Sequence, residues 1–255
     1  EASETARQFL NICIRAIDCC PPVDIRLGEY LRALITADAD VVSDDKYCYR
    51  EALMRSFQRR HIFPEKLEFM CEDAVRWKPP TFDTPIPGLA LTDLRFGSDL
   101  ATPAGEGEMR RRAIALGEFV VKPEIAKALH LVAIGTALPK NVEYAAPIRI
   151  ESIRTTRRVT PDGRVSMELV AEVTQSCTIR IGPDLMDFAG GCTLIIDADG
   201  VVRYAIYKSV LSDTRPAQQH RAATGPLKEF WHKKDGKLTP RPNMLLQLHK
   251  RGTTQ

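Results

Sequence analysis

The spacing of apolar residues changes period along the chain, and it predicts helices first and strands later. In "EASETARQFLNICIRAIDCC" the residues Phe9, Cys13, Ala16, Ile17 and Cys20 recur at helical intervals and mark the inner face of a first helix. Pro21 and Pro22 stop it, because neither can extend the amide ladder and each pushes its predecessor out of the α region. Asp24 is the expected N-cap of a second helix, with Leu27, Leu31, Leu34 and Ile35 as its stripe. A third helix is expected behind Ser43 as cap, with Asp44 and Asp45 in its first turn. Its inner face reads Tyr49, Leu53, Ser56 and Phe57, and Pro64 marks its stop. Arg26, Arg32 and Asp38 are placed for an ion pair linking helix to loop.

After residue 64 the pattern changes. Residues 79–107 are rich in Pro and Gly and predict an extended loop, long for a compact domain unless it packs along a surface. Short helices are expected near 108–117 and, with Pro123 at its first position, 124–131. The runs "IRIESIRTTRRV", "VSMELVAEVTQSCTIRI", "CTLIID" and "VVRYAIYKSV" then alternate or are β-branched, with "TPDG" and "DADG" between them as turns. They predict an antiparallel meander of about four strands with one face against helices. The expected fold class is therefore α+β. Residues 1–64 form a three-helix subdomain, 65–211 an α+β module with an antiparallel sheet, and 212–255 a basic, proline-containing tail.

Composition adds little for the body and more for the tail. The 255 residues are 44% hydrophobic and 27% charged, an ordinary globular balance. Residues 212–255 hold nine Lys and Arg against three Asp and Glu, so the positive excess sits there. This reads as a solvated arm wrapping its own domain through Trp231 and Leu245, or as an arm for an acidic partner. Its aromatic residues are too few and too clustered for a base-stacking platform, so nucleic acid is not the expected partner. No apolar run is long enough for a membrane span and no signal-peptide pattern is present, which predicts a cytoplasmic protein. Glu1 stands where Met would, and the chain enters helical periodicity at once. That predicts a processed or trimmed N-terminus, with which targeting information would be lost.

The search for chemistry finds no complete set. Cys13, Cys19, Cys20, Cys48, Cys71, Cys177 and Cys192 are odd in number and irregular in spacing, which is not a disulfide framework and reads as mainly buried thiols. No CxxC, HExxH, GxSxG, P-loop or GxGxxG is present, and His61, His130, His220, His232 and His249 form no helical i, i+4 pair. Cys192 with His130 or His61 as base is the nearest approach to a nucleophile. Yet it opens an apolar strand, and its preceding glycines are explained by a turn or bulge. The sequence thus offers no catalytic, cofactor-binding or metal-binding residues.

One resemblance covers residues 5–64. The order "FLNICIRAIDCCPPVDIRLGEYLRALITADADVVSDDKYCYREALMRSFQRRHIF" resembles the last helices of thermolysin-like and fungalysin-like zinc metallopeptidases, the gluzincins. "YLRALITAD" (Tyr30–Asp38) fits the helix after that family's Pro-containing joint, and "SFQRRHI" fits its final helix end. His61 stands where the family usually has Gly, a left-handed cap that His tolerates less well, so a different helix end is expected. The family's zinc ligands and general-base Glu all lie N-terminal to the matching segment, so no position here inherits those roles. The resemblance implies a non-catalytic C-terminal portion that supports the cleft of an HExxH-bearing N-terminal part of the same protein. Zinc would belong to that part, and a peptide or protein substrate would be engaged only indirectly. The alternative is a stand-alone binding or assembly module with a basic arm for an acidic partner. An enzyme with dispersed catalytic residues stands behind both.

Overall fold

A computed structural model describes residues 2–42, 44–94, 104–159 and 165–241. The expected Ser43 cap, the turn at 160–163, Leu245 and His249 lie outside the described residues. The described chain is α+β. Its helices are α1 (Ala2–Asp18), α2 (Leu27–Ala39), α3 (Tyr49–Gln58), α4 (Glu72–Val75), α5 (Glu106–Val120), α6 (Pro123–Ala128) and α7 (Thr214–Thr224). The strands are β1 (Val142–Ala145), β2 (Arg149–Val159), β3 (Val165–Ile181), β4 (Asp184–Ile196), β5 (Val202–Lys208), β6 (Trp231–Lys234) and β7 (Lys237–Pro240).

The expected meander is present as β2-β3-β4-β5, all antiparallel. The sheet is larger than expected. β1 continues the β2 edge along β3, and β7 adds to β4 in parallel and carries β6. Asp197 closes the β4–β5 turn, its Oδ1 accepting from the amides of Asp199 and Val201. Gly182 takes a positive φ at the first loop position between β3 and β4, as tight hairpins require.

The expectation of one helix-covered face is corrected: both faces are covered. On one side Leu169, Ala171, Val173, Leu194 and Ile196 pack with Leu116, Phe119 and Val120 of α5 and with Ile125 and Leu129 in and after α6. On the other side Ile195, Tyr204 and Ile206 pack with Ile12, Ala16, Ala33, Leu34 and Ala37 of α1 and α2. Successive residues of a strand point to opposite faces, so the consecutive Leu194, Ile195 and Ile196 of β4 are all apolar and all buried. Residues 82–94 do pack along the surface: Ile86, Leu89 and Leu94 are buried, and Arg111 ties them down through the carbonyls of Gly88 and Asp93.

Several local expectations are corrected. Asp24 does not cap α2. It adopts φ 51° and pairs with Arg215, while Arg26 is the N-cap and its amide donates to the Glu29 carboxylate. α3 begins only at Tyr49, where Asp45 accepts from the amides of Tyr49 and Arg50. On α1 the buried residues are Ile12 and Ala16, whereas Phe9 and Ile17 face outward. Asp38 pairs with Arg50, Arg26 pairs with Glu65, and Arg32 donates to the carbonyls of Ala74 and Val75. The expected wrapping through Trp231 is present, since Trp231 packs against the main core, but residues 214–240 are not a solvated arm, because α7, β6 and β7 fold there.

The helix end with His61 also differs from expectation. His61 itself takes the left-handed conformation at φ 55°, and the amide of Ile62 returns to the Phe57 carbonyl. A left-handed residue with a Cβ is strained by roughly 1–2 kcal/mol, partly offset in Gly by its greater unfolded-state entropy. His61→Gly is therefore expected to stabilise the protein by about 0.5–1 kcal/mol in urea denaturation, the size of other Gly effects. A loss of stability would show that the His61 side chain holds the turn.

Candidate functional site

α1 is apolar on two faces, and only one is used. Ile12 and Ala16 are sealed against the sheet, with Cys19 and Cys20 beyond the helix end. Leu10, Ile14 and Ile17, spaced to lie together on one helix face, are 57%, 55% and 63% exposed. The joint that follows adds Ile25, and the first residue of α2 adds Leu27, both mostly exposed. Scattered exposed apolar residues are ordinary, but a stripe at helical spacing marks a contact face.

The joint is a rigid seat for this helix. The Trp77 indole donates to the Cys19 carbonyl at 2.9 Å, and the Thr193 hydroxyl donates to the Cys20 carbonyl at 2.6 Å. Pro22 lies against Gly191 of β4, where a Cβ would come within 2.8 Å of its ring. The paired glycines are thus not a turn or bulge. They sit in regular register opposite Thr174 and Gln175, and their missing side chains admit Pro22 and Val210.

A polar seam fixes the helices to the sheet. Asp40, just past α2, accepts from the Tyr204 hydroxyl at 2.8 Å and faces Arg203 at 3.2 Å. Arg203 also pairs with Glu168. Burial, and then the Asp40 charge, push the Tyr204 phenol above its ordinary range. Lys208 meets Glu29 at 2.5 Å and Arg154 meets Asp18 at 2.7 Å. Sequence reading passed over Glu168, Arg203 and Lys208. Their signal was a charge inside an apolar strand run, a position that needs a partner.

The candidate nucleophile does not assemble. Cys192 is fully buried and burial pushes its thiol up, as it pushes Cys20 and Cys177 up to about 11. His130 instead stacks on Tyr207 with ring centroids 4.0 Å apart, and burial followed by Lys66 lowers its pKa. His61 is exposed at its helix end, and His220 meets the Asp184 carboxylate at 3.0 Å. Among the described residues no three His, Cys, Asp or Glu side chains come together to hold a metal. No described helix is long and apolar enough to cross a membrane.

No family model, curated protein or solved structure matches this chain.

Proposed function

We propose that this chain is the non-catalytic C-terminal portion of a gluzincin-type zinc metallopeptidase, whose first helices dock against and support an HExxH-bearing N-terminal part. The single observation behind this reading is the outward stripe of Leu10, Ile14 and Ile17 on a helix whose opposite face is already buried. Docking it would remove three large apolar side chains from water, each worth about 1.5–3 kcal/mol when fully buried. The left-handed conformation of His61 agrees with the resemblance, since the family keeps a left-handed Gly at that position. Among the described residues no His, Cys, Asp and Glu side chains gather into a set that would hold that zinc. The ion would be held by the N-terminal part, where it supplies Lewis-acid chemistry. What this chain contributes is a wall, held to its sheet by the Cys19–Pro22 seat and the Asp40 seam.

The test begins with the coding sequence upstream of Glu1, expected to encode HExxH. That part and this chain, co-expressed as separate polypeptides, should purify as a complex with zinc-dependent peptide hydrolysis. Ile14→Asp with Ile17→Asp should weaken the complex by at least about 100-fold while this chain stays folded, because both sites are exposed. Absence of an HExxH-coding sequence would sink the proposal. Salt-sensitive binding to an acidic protein would then favour the stand-alone module with a basic arm.

A further inference from the structure

α7 closes a gap in the sheet that no strand fills. On its edge away from β3, β4 pairs with β7 at Leu185 and Met186 and with β5 from Gly191 to Ile196, so among the described residues 187–190 meet no strand there. The helix supplies donors in place of a strand. Gln219 Nε2 donates to the Asp187 carbonyl at 2.9 Å, and Arg215 donates to the carbonyls of Ala189 and Ser209 at 3.2 and 2.8 Å. The same guanidinium lies 4.7 Å from the centroid of the Phe188 ring and covers this residue of the main core. Further along the helix, His220 meets Asp184, which Lys233 of β6 also engages at 2.7 Å. On the other flank Gln218 accepts from Arg26 at 2.6 Å and Arg215 faces Asp24 at 3.4 Å, so α7 also ties down the joint between α1 and α2.

These polar contacts carry most of the attachment. Of the eleven residues of α7 only Pro216 and Ala223 are buried, whereas α5 buries Leu116, Phe119 and Val120. The closed position also opposes itself. The Arg215 side chain is 10% exposed, its Nε finds no partner among the described residues, and the Asp24 carboxylate it faces is 54% exposed. Burial lowers the pKa of Arg215, and Asp24 offsets that only in part. A buried charge that is incompletely paired disfavours the state that buries it. An element with few buried apolar side chains opens at a small free energy. We propose that α7 is a releasable strap, which lifts off β4 as a unit while the sheet and the other helices stay folded, baring Phe188 and the carbonyls of Asp187 and Ala189 and freeing the joint between α1 and α2. The motion is independent of what docks on α1.

Amide hydrogen exchange of the full chain, in urea up to about 2 M, tests it. The amides of residues 218–224 should exchange about 100-fold or more faster than those of residues 169–173, which β3 pairs with a strand on either side. Their rates should rise little with urea, because a local opening exposes little surface. Arg215→Ala should speed exchange across 218–224 by about tenfold, since it removes charge-assisted hydrogen bonds. Gln218→Ala, at an exposed position, removes only the tie to Arg26 and should speed it by about threefold. Exchange in 218–224 that matches residues 169–173 in rate and in urea slope would overturn the proposal, because α7 would then leave only when the whole protein unfolds. So would fast exchange there that neither variant changes, which is the behaviour of a fraying helix with no latch.

Discussion

Gly191→Ala is expected to cost the protein about 3 kcal/mol or more, at the upper end of overpacking penalties. An added Cβ would lie 2.4 Å from the Val173 carbonyl oxygen, 2.8 Å from the Pro22 ring and 3.2 Å from the Thr174 Cα. Two of these are backbone atoms of the neighbouring strand, so no side-chain rotation relieves the clash. Either β3 and β4 separate or Pro22 lifts, and lifting Pro22 strains the Thr193 bond to Cys20 that seats the end of α1. Gly190→Ala should be comparably damaging, because its Cβ would come within 2.5 Å of both the Lys208 carbonyl and Val210. Gly117 supplies the internal control. It lies within α5 with nothing within 4 Å of an added Cβ, so Gly117→Ala should gain roughly 0.5–1 kcal/mol of helix propensity. Denaturant midpoints of the three variants decide the matter. A Gly191→Ala protein as stable as the parent would mean that Pro22 is not packed on the strand, and the seat for α1 would go with it.

How much of this was legible in the chain depends on the range of the interactions. The strand runs of the meander and the end of α1 before its two prolines follow from local period and backbone chemistry, and the sequence shows them. The cap of α2 does not follow, because Asp24 is drawn to Arg215 far along the chain and the capping falls to Glu29. The side of α1 that faces the core was also hidden. Ile12 and Ala16 on one side and Leu10, Ile14 and Ile17 on the other make a helix with two apolar stripes, and periodicity cannot choose between them. The β6–β7 hairpin carried a readable signal that charge obscured. Asp235 and Gly236 form the two-residue turn, with φ of 51° and 79°, and the Asp-Gly pair is a strong hairpin dipeptide. Covering of both sheet faces was written in Leu194, Ile195 and Ile196, where alternation stops.

Arg50→Met is expected to cost about 3–5 kcal/mol at neutral pH, the range for removing one partner of a buried pair. The Arg50 guanidinium is 4% exposed. It donates to Asp38 and to the Val42 carbonyl, each at 2.9 Å, and meets Glu72 at 2.9 Å. These contacts join α3 to α2 and to α4, so the loss falls on the arrangement of the helices. Asp38 is 7% exposed. Burial pushes its carboxyl above the usual range even with Arg50 opposing, and losing Arg50 pushes it further. A carboxyl whose folded pKa is raised binds its proton more tightly in the folded state. It therefore favours folding below its unfolded pKa, and that advantage disappears as pH rises through the folded value. The deficit of Arg50→Met should accordingly be deepest near about pH 8 and shrink towards about pH 5, because the variant's Asp38, raised further without Arg50, takes up its proton at a higher pH than the parent's. Arg50→Met combined with Asp38→Leu should regain much of the loss, since it leaves Asp38's site without a buried charge. Urea denaturation of the parent, both single variants and the double variant at the two pH values measures the coupling directly. A deficit that is constant with pH, or greater at the lower one, would show that Asp38 is not the charge left stranded.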